Sequence, residues 1–111
     1  GPAQPDAVLL VGDVKSVDGA DVPSRSRTFR LLPGCHVVTN VTYWVGNDSN
    51  AAMSIRLPEL PYWMNMKEGH SYELRVGFSA VSDTARVKVT ALERDVKGDI
   101  SQRFEPGKAC D

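Results

Sequence analysis

A hydrophobic repeat of two limits this chain more than any other feature. Tyr72, Leu74, Val76 and Phe78 alternate with Ser71, Glu73, Arg75, Gly77 and Ser79. Ala85, Val87, Val89 and Ala91 alternate with Arg86, Lys88 and Thr90, and Met53, Ile55 and Leu57 with Ser54 and Arg56. Successive side chains of a strand point to opposite faces, so each segment presents one oily and one wet face. His36 to Val45 is crowded with β-branched and aromatic residues and reads as a central strand buried on both faces. Ala7 to Val17, Thr28 to Leu32 and Tyr62 to Met66 complete a set of about seven strands. No stretch shows a capped helical period, so no long helix is expected.

The punctuation between these segments agrees. Asp18-Gly19 is the dipeptide favoured in a tight hairpin turn. Pro33-Gly34, Gly46 to Asn50 and Lys67-Glu68-Gly69 separate further strand patterns. Pro58 and Pro61 bracket Glu59-Leu60, stopping one strand and starting the next. Short connections favour antiparallel neighbours, since parallel strands need long crossovers. The expected architecture is all-β: an antiparallel β-sandwich of about seven strands with no long helix.

The 111 residues suit one domain, and 41% hydrophobic with 24% charged residues is ordinary for a folded one. Lys plus Arg is 13 against 14 for Asp plus Glu, a balance that offers no phosphate-neutralising surface, so nucleic acid is not an expected partner. No apolar run has the length of a membrane span. Gly1-Pro2 reads as a tag-cleavage scar, and residues 1–6 as that scar plus a linker stub. The sandwich is expected over 7–98 and a C-terminal tail over 99–111.

Cys35 and Cys110 lie 75 residues apart, and Cys110 sits in a tail without apolar period. Packing gives a thiol there no role, whereas a disulfide pinning the tail to the body does. Closing such a loop stabilises by about 4 kcal/mol in the chain-entropy model. The bridge implies an oxidising compartment: periplasm, cell surface or outside the cell.

Val17-Asp18-Gly19, then Phe29-Arg-Leu-Leu-Pro-Gly-Cys-His36, Val41-Thr-Tyr43 and Met66-Lys-Glu-Gly-His-Ser-Tyr-Glu-Leu-Arg-Val76 form an ordered pattern over Val8 to Val89. It resembles the small β-sandwich domains of bacterial envelope lipoproteins and secreted proteins, of the PEGA-like type and similar uncharacterised lipoprotein domains. The resemblance implies a non-enzymatic envelope module, periplasmic, secreted or held to the outer membrane by an N-terminal lipid, and it brings no catalytic residues.

Among candidate sites, His36, His70 and Cys35 could in principle surround zinc, but the two histidines lack close spacing and the disulfide would consume Cys35. Each histidine follows a turn glycine closely, which favours a turn cap or a cross-strand hydrogen bond. No Ser occupies a nucleophile elbow, and Glu73 and Glu93 are expected on solvated strand faces, so no catalytic residue, metal or cofactor is assigned. Arg25, Arg27 and Arg30 read as a charged, solvated edge. Asn40-Val-Thr42 and Asn47-Asp-Ser49 match the glycan-acceptor pattern.

The aromatic stretch is the expected contact region. Tyr62, Trp63 and Met64 lie between proline and turn signals, and neighbours on one strand cannot share a face. Trp44 is expected in the core and Trp63 in a surface patch. The resulting expectation is a binding or structural accessory module that recruits a protein partner through Tyr62, Trp63 and Met64, with an edge strand as a second route. The alternative is a carbohydrate-binding module with Trp63 and Tyr62 as a stacking platform.

Overall fold

The alternation seen in the sequence builds the longest hairpin of the molecule. In the computed structural model, Ser71–Val81 and Thr84–Arg94 pair antiparallel in unbroken register, with Tyr72 opposite Glu93, Leu74 opposite Ala91 and Val76 opposite Val89. The structure describes residues 8–23, 26–48, 51–81 and 84–110; within these, the side chains at 9, 44, 46–48, 51–53, 78–81 and 84–86 are outside the description.

The described strands are β1 (Val8–Gly12), β2 (Val14–Val17), β3 (Ala20–Asp21), β4 (Thr28–Leu31), β5 (Gly34–Asn40), β6 (Tyr43–Asp48), β7 (Ala51–Arg56), β8 (Pro61–Met66), β9 (Ser71–Val81), β10 (Thr84–Arg94) and β11 (Ile100–Arg103). Among the described residues there is no helix. One sheet runs β11-β10-β9-β1-β4 and a second β3-β2-β5-β8, while β6 and β7 form a separate two-stranded ribbon. The all-β sandwich-like class is therefore present, with more strands than the expected seven.

Four differences account for that count: β3 and β11 lie outside the expected set, and two expected strands are each divided. Ala7 to Val17 is two strands, because the chain changes sheet at Gly12-Asp13. His36 to Val45 is likewise divided at Val41-Thr42, where the chain leaves the second sheet for the ribbon. A further difference is the pairing of β1 with β9, which is parallel (Leu9 opposite Ser71, Val11 opposite Glu73). Local connections favour antiparallel partners, but these two strands are far apart in sequence, so chain length does not constrain their relative direction.

The sheet change is built from specific atoms. Gly12 has φ +134°, and a Cβ there would stand 1.9 Å from the Leu74 carbonyl oxygen, so only glycine lets β1 leave β9 this closely. Asp13 then secures the exposed main chain. Its N–H donates to the Leu74 carbonyl at 2.7 Å, and its Oδ2 accepts the Val76 N–H at 2.9 Å. Its other carboxylate oxygen accepts Arg27 Nη1 at 2.6 Å, and its carbonyl accepts the Val41 N–H at 2.9 Å. The Asp18-Gly19 turn has positive φ at both residues (52° and 84°), as a type I′ hairpin requires.

The core lies between the two sheets. Val8 and Leu10 of β1, Tyr72 and Leu74 of β9 and Ala91 of β10 pack with Val14, Val38, Tyr62, Met64 and Met66 of the second sheet. Residues 99–110 are more than a tail: β11 extends the first sheet by pairing with β10. The Phe104 N–H then donates to Ala91 at 2.9 Å, and the Phe104 ring packs 6.2 Å from that of Tyr72. Gly107 donates to the Pro61 carbonyl at 2.8 Å, and Cys110 is bonded to Cys35 on β5, Cα to Cα 6.2 Å. Residues 104–110 thus form a strap from one sheet to the other, closed by the disulfide. Residues 1–6 lie outside the described residues.

Candidate functional site

Strand β8 has an inner and an outer row, and the division separates the three expected contact residues. Tyr62 (3% exposed), Met64 and Met66 face the core. Trp63, Asn65 and Lys67 alternate with them and face out, with Trp63 37% exposed. The expectation of a joint Tyr62–Trp63–Met64 contact patch is corrected here: Tyr62 and Met64 fill the sandwich, and only Trp63 can touch a ligand with its side chain. The reason is the same strand period that placed the stretch on β8. Burial also pushes the Tyr62 hydroxyl above its ordinary pKa. The Trp44 side chain lies outside the described residues, so its expected core position does too.

The outer face of β8 and the strap enclose an open cleft of about 430 Å³. Trp63, Asn65 and Lys67 form one wall, and Gln102, Arg103, Glu105, Lys108 and the disulfide end of the strap form the other. Its polar side chains are exposed to solvent. The cleft owes its second wall to the strap, so it depends on the Cys35–Cys110 bond that holds the strap's end. The strap also covers part of the β8 edge, where Gly107 occupies the Pro61 carbonyl and Tyr72 Oη accepts the Lys67 N–H at 2.7 Å. That limits strand addition at this edge.

The two histidines serve different carboxylates. His36 Nδ1–H donates to Asp18 Oδ2 at 2.6 Å and Nε2–H to the Leu32 carbonyl at 2.6 Å. A ring donating from both nitrogens is the imidazolium form. Partial burial opposes that charge, but the Asp18 hydrogen bond, the Leu32 carbonyl and the Asp18 charge outweigh it and raise the His36 pKa. Burial likewise acts to raise Asp18, and is outweighed by the His36 hydrogen bond, the Val37 N–H and the His36 charge, so its pKa falls. The pair clasps the β2–β3 turn to the start of β5.

His70 instead bonds Glu93, whose side chain is only 2% exposed. The expectation that Glu93 is solvated is overturned: it shares a face with Val89 and Ala91 and sits opposite Tyr72 in the core. The signal was legible, since Glu93 continues the apolar phase 87, 89, 91. The Tyr72 hydroxyl is pushed up to about 12, mainly by burial and further by the Glu93 carboxylate, against the stabilising Lys67 N–H. Glu73, on the other face, pairs with Arg94 at 3.3 Å and Arg75 at 3.6 Å.

Among the described residues no three His, Cys, Asp or Glu side chains come together as metal ligands, and Cys35 is committed to the disulfide. Asn40 of the first glycan-acceptor pattern is buried: its Nδ2 donates to the Val41 and Pro58 carbonyls at 2.9 Å, and its Oδ1 accepts the Leu60 N–H at 3.0 Å. The Asn47 side chain lies outside the described residues. A second hollow, of about 750 Å³, lies between the Asp13 junction and the ribbon, bordered by the exposed Tyr43 and Val45; the sequence reading did not single out Val45. No protein-family model, curated protein or solved structure matches this chain.

Proposed function

We propose that this protein is a non-enzymatic accessory module of an oxidising compartment, periplasmic, outer-membrane-attached or secreted, that recruits a protein partner through the Trp63 face. One observation carries the reading. Trp63 is a large aromatic held on the outer face of β8, over a cleft, while both its strand neighbours are spent on the core. A Trp exposed over a cleft is a residue type enriched at the energetic centre of interfaces. The disulfide supports the compartment, because such bridges persist where thiols are not kept reduced. No helix among the described residues is long and apolar enough to cross a membrane; the membrane contact in this reading is a lipidated N-terminus.

The carbohydrate reading draws on the polar lining of the same cleft. Its two-ring platform is reduced to one ring by the burial of Tyr62. Replacing Trp63 by Ala is expected to keep the circular dichroism of the folded chain, at a lower unfolding midpoint, and to abolish partner recovery in pull-downs from envelope fractions. Unchanged recovery refutes the Trp63 reading. A Trp fluorescence shift with a neutral glycan, and none with protein partners, favours the sugar.

A further inference from the structure

We propose that the cleft between β8 and the C-terminal strap holds an extended, acidic peptide segment of the partner. The proposal rests on the reading of Trp63 as a partner contact and names the chemistry that contact recognises.

The charge around Trp63 carries it. Lys67, Arg103 and Lys108 border the cleft, with Glu105 as the one carboxylate among its lining residues. None of the three cations forms an ion pair among the described residues. The whole chain has a net charge of −1, so this face departs in sign from the molecule that bears it. Cations without an ion-pair partner among the described residues, beside an exposed indole, suit an anionic occupant, and the field they make speeds its capture.

Spacing argues for an extended peptide. Trp63 and Asn65 on β8, with Lys67 just past its end, stand at every second residue, where the strand step is about 7 Å. A strand-like peptide presents its own alternate side chains at that step, so an apolar side chain over Trp63 brings a carboxylate within reach of Lys67. Recognition works through side chains here, because the strap and Tyr72 occupy main-chain atoms of β8. The disulfide keeps Lys108 in place before the ligand arrives, which lowers the ordering cost of binding.

The test uses the full oxidised chain and four probes: a short peptide of alternating Glu and Val, its Lys-Val counterpart, an oligogalacturonate and a neutral glycan. The Glu-Val peptide is expected to bind by calorimetry, with affinity falling as salt rises. The variant K67E/R103E is expected to weaken it by about tenfold or more while keeping the fold, and W63A to abolish it. Equal binding of the Lys-Val peptide, response to oligogalacturonate or the neutral glycan alone, or no response up to millimolar peptide overturns the proposal. Pull-downs separate its failure from that of the underlying reading. Partner recovery lost in W63A but retained in K67E/R103E overturns the acidic assignment and leaves the Trp63 contact standing. Recovery retained in both overturns the two together.

Discussion

The two histidine–carboxylate pairs have almost the same local grammar and different physical roles. His36 and His70 each stand just after a turn glycine, and each reaches across to an acid distant in the chain, Asp18 in the β2–β3 turn and Glu93 on β10. Asp18 is half exposed (49%), so water screens its pair and shares its hydrogen bonds. Glu93 is sealed at 2% exposure among Tyr72 and Ala91, and His70 is the side chain that joins it to the surface. A motif that looks repeated in the sequence is therefore a surface clasp in one copy and a buried polar contact in the other. The difference is where the carboxylate stands: in a solvated turn for Asp18, on the buried face of β10 for Glu93.

The sharpest way to break the comparison is to remove the buried partner. His70→Ala strands the Glu93 carboxylate in the core and is expected to cost about 3 kcal/mol in urea unfolding. Replacing both members, His70→Phe with Glu93→Leu, is expected to recover most of that loss, because the cost lies in the orphaned charge. A double variant as unstable as the single one would show that the pair is itself an essential support.

The same deletion at the surface is expected to be mild. His36→Ala should cost no more than about 1 kcal/mol at neutral pH, since exposed pairs are screened. A loss equal to that of His70→Ala would erase the distinction drawn here.

The smallest effect is a pH dependence confined to the surface pair. His36 is raised above its ordinary 6.5, so its contribution is complete below that value and is lost as pH rises through the raised folded pKa. Asp18 is lowered from 3.8, so its contribution is present above that value and is lost as pH falls through the lowered folded pKa. The stability difference between the parent and His36→Ala is expected to be greatest between these two ordinary values and to shrink on either side. A difference that stays flat beyond that window, as pH falls through the lowered Asp18 pKa and rises through the raised His36 pKa, contradicts the clasp.

Much of this fold was legible in the chain. Period-two alternation located β8, β9 and β10 and, through its phase, assigned Tyr62 and Trp63 to opposite faces. Which of the two faces was oily was also legible, because Tyr62, Met64 and Met66 make an apolar row while Asn65 and Lys67 follow Trp63. Glu93 shows a failure: its phase with Val89 and Ala91 was plain, but its charge outweighed the phase in the reading. The division of Val8 to Val17 at Gly12 was written in the Gly-Asp pair, yet its reason, the approach of the Leu74 carbonyl, involves a residue far along the chain.

By itself the sequence determined the class of structure, the tight turn at Asp18-Gly19 and the presence of two cysteines with a reason to pair, since these follow from side-chain period, local backbone preference and the lack of any packing role for a terminal thiol. Tertiary structure alone decided that β1 runs parallel to β9, that His70 meets Glu93, and that residues 104–110 cross from sheet to sheet to make the Trp63 cleft. Each of those depends on contacts between residues distant in the chain, and the energy of such contacts is set by where the strands meet, which no local window of sequence contains.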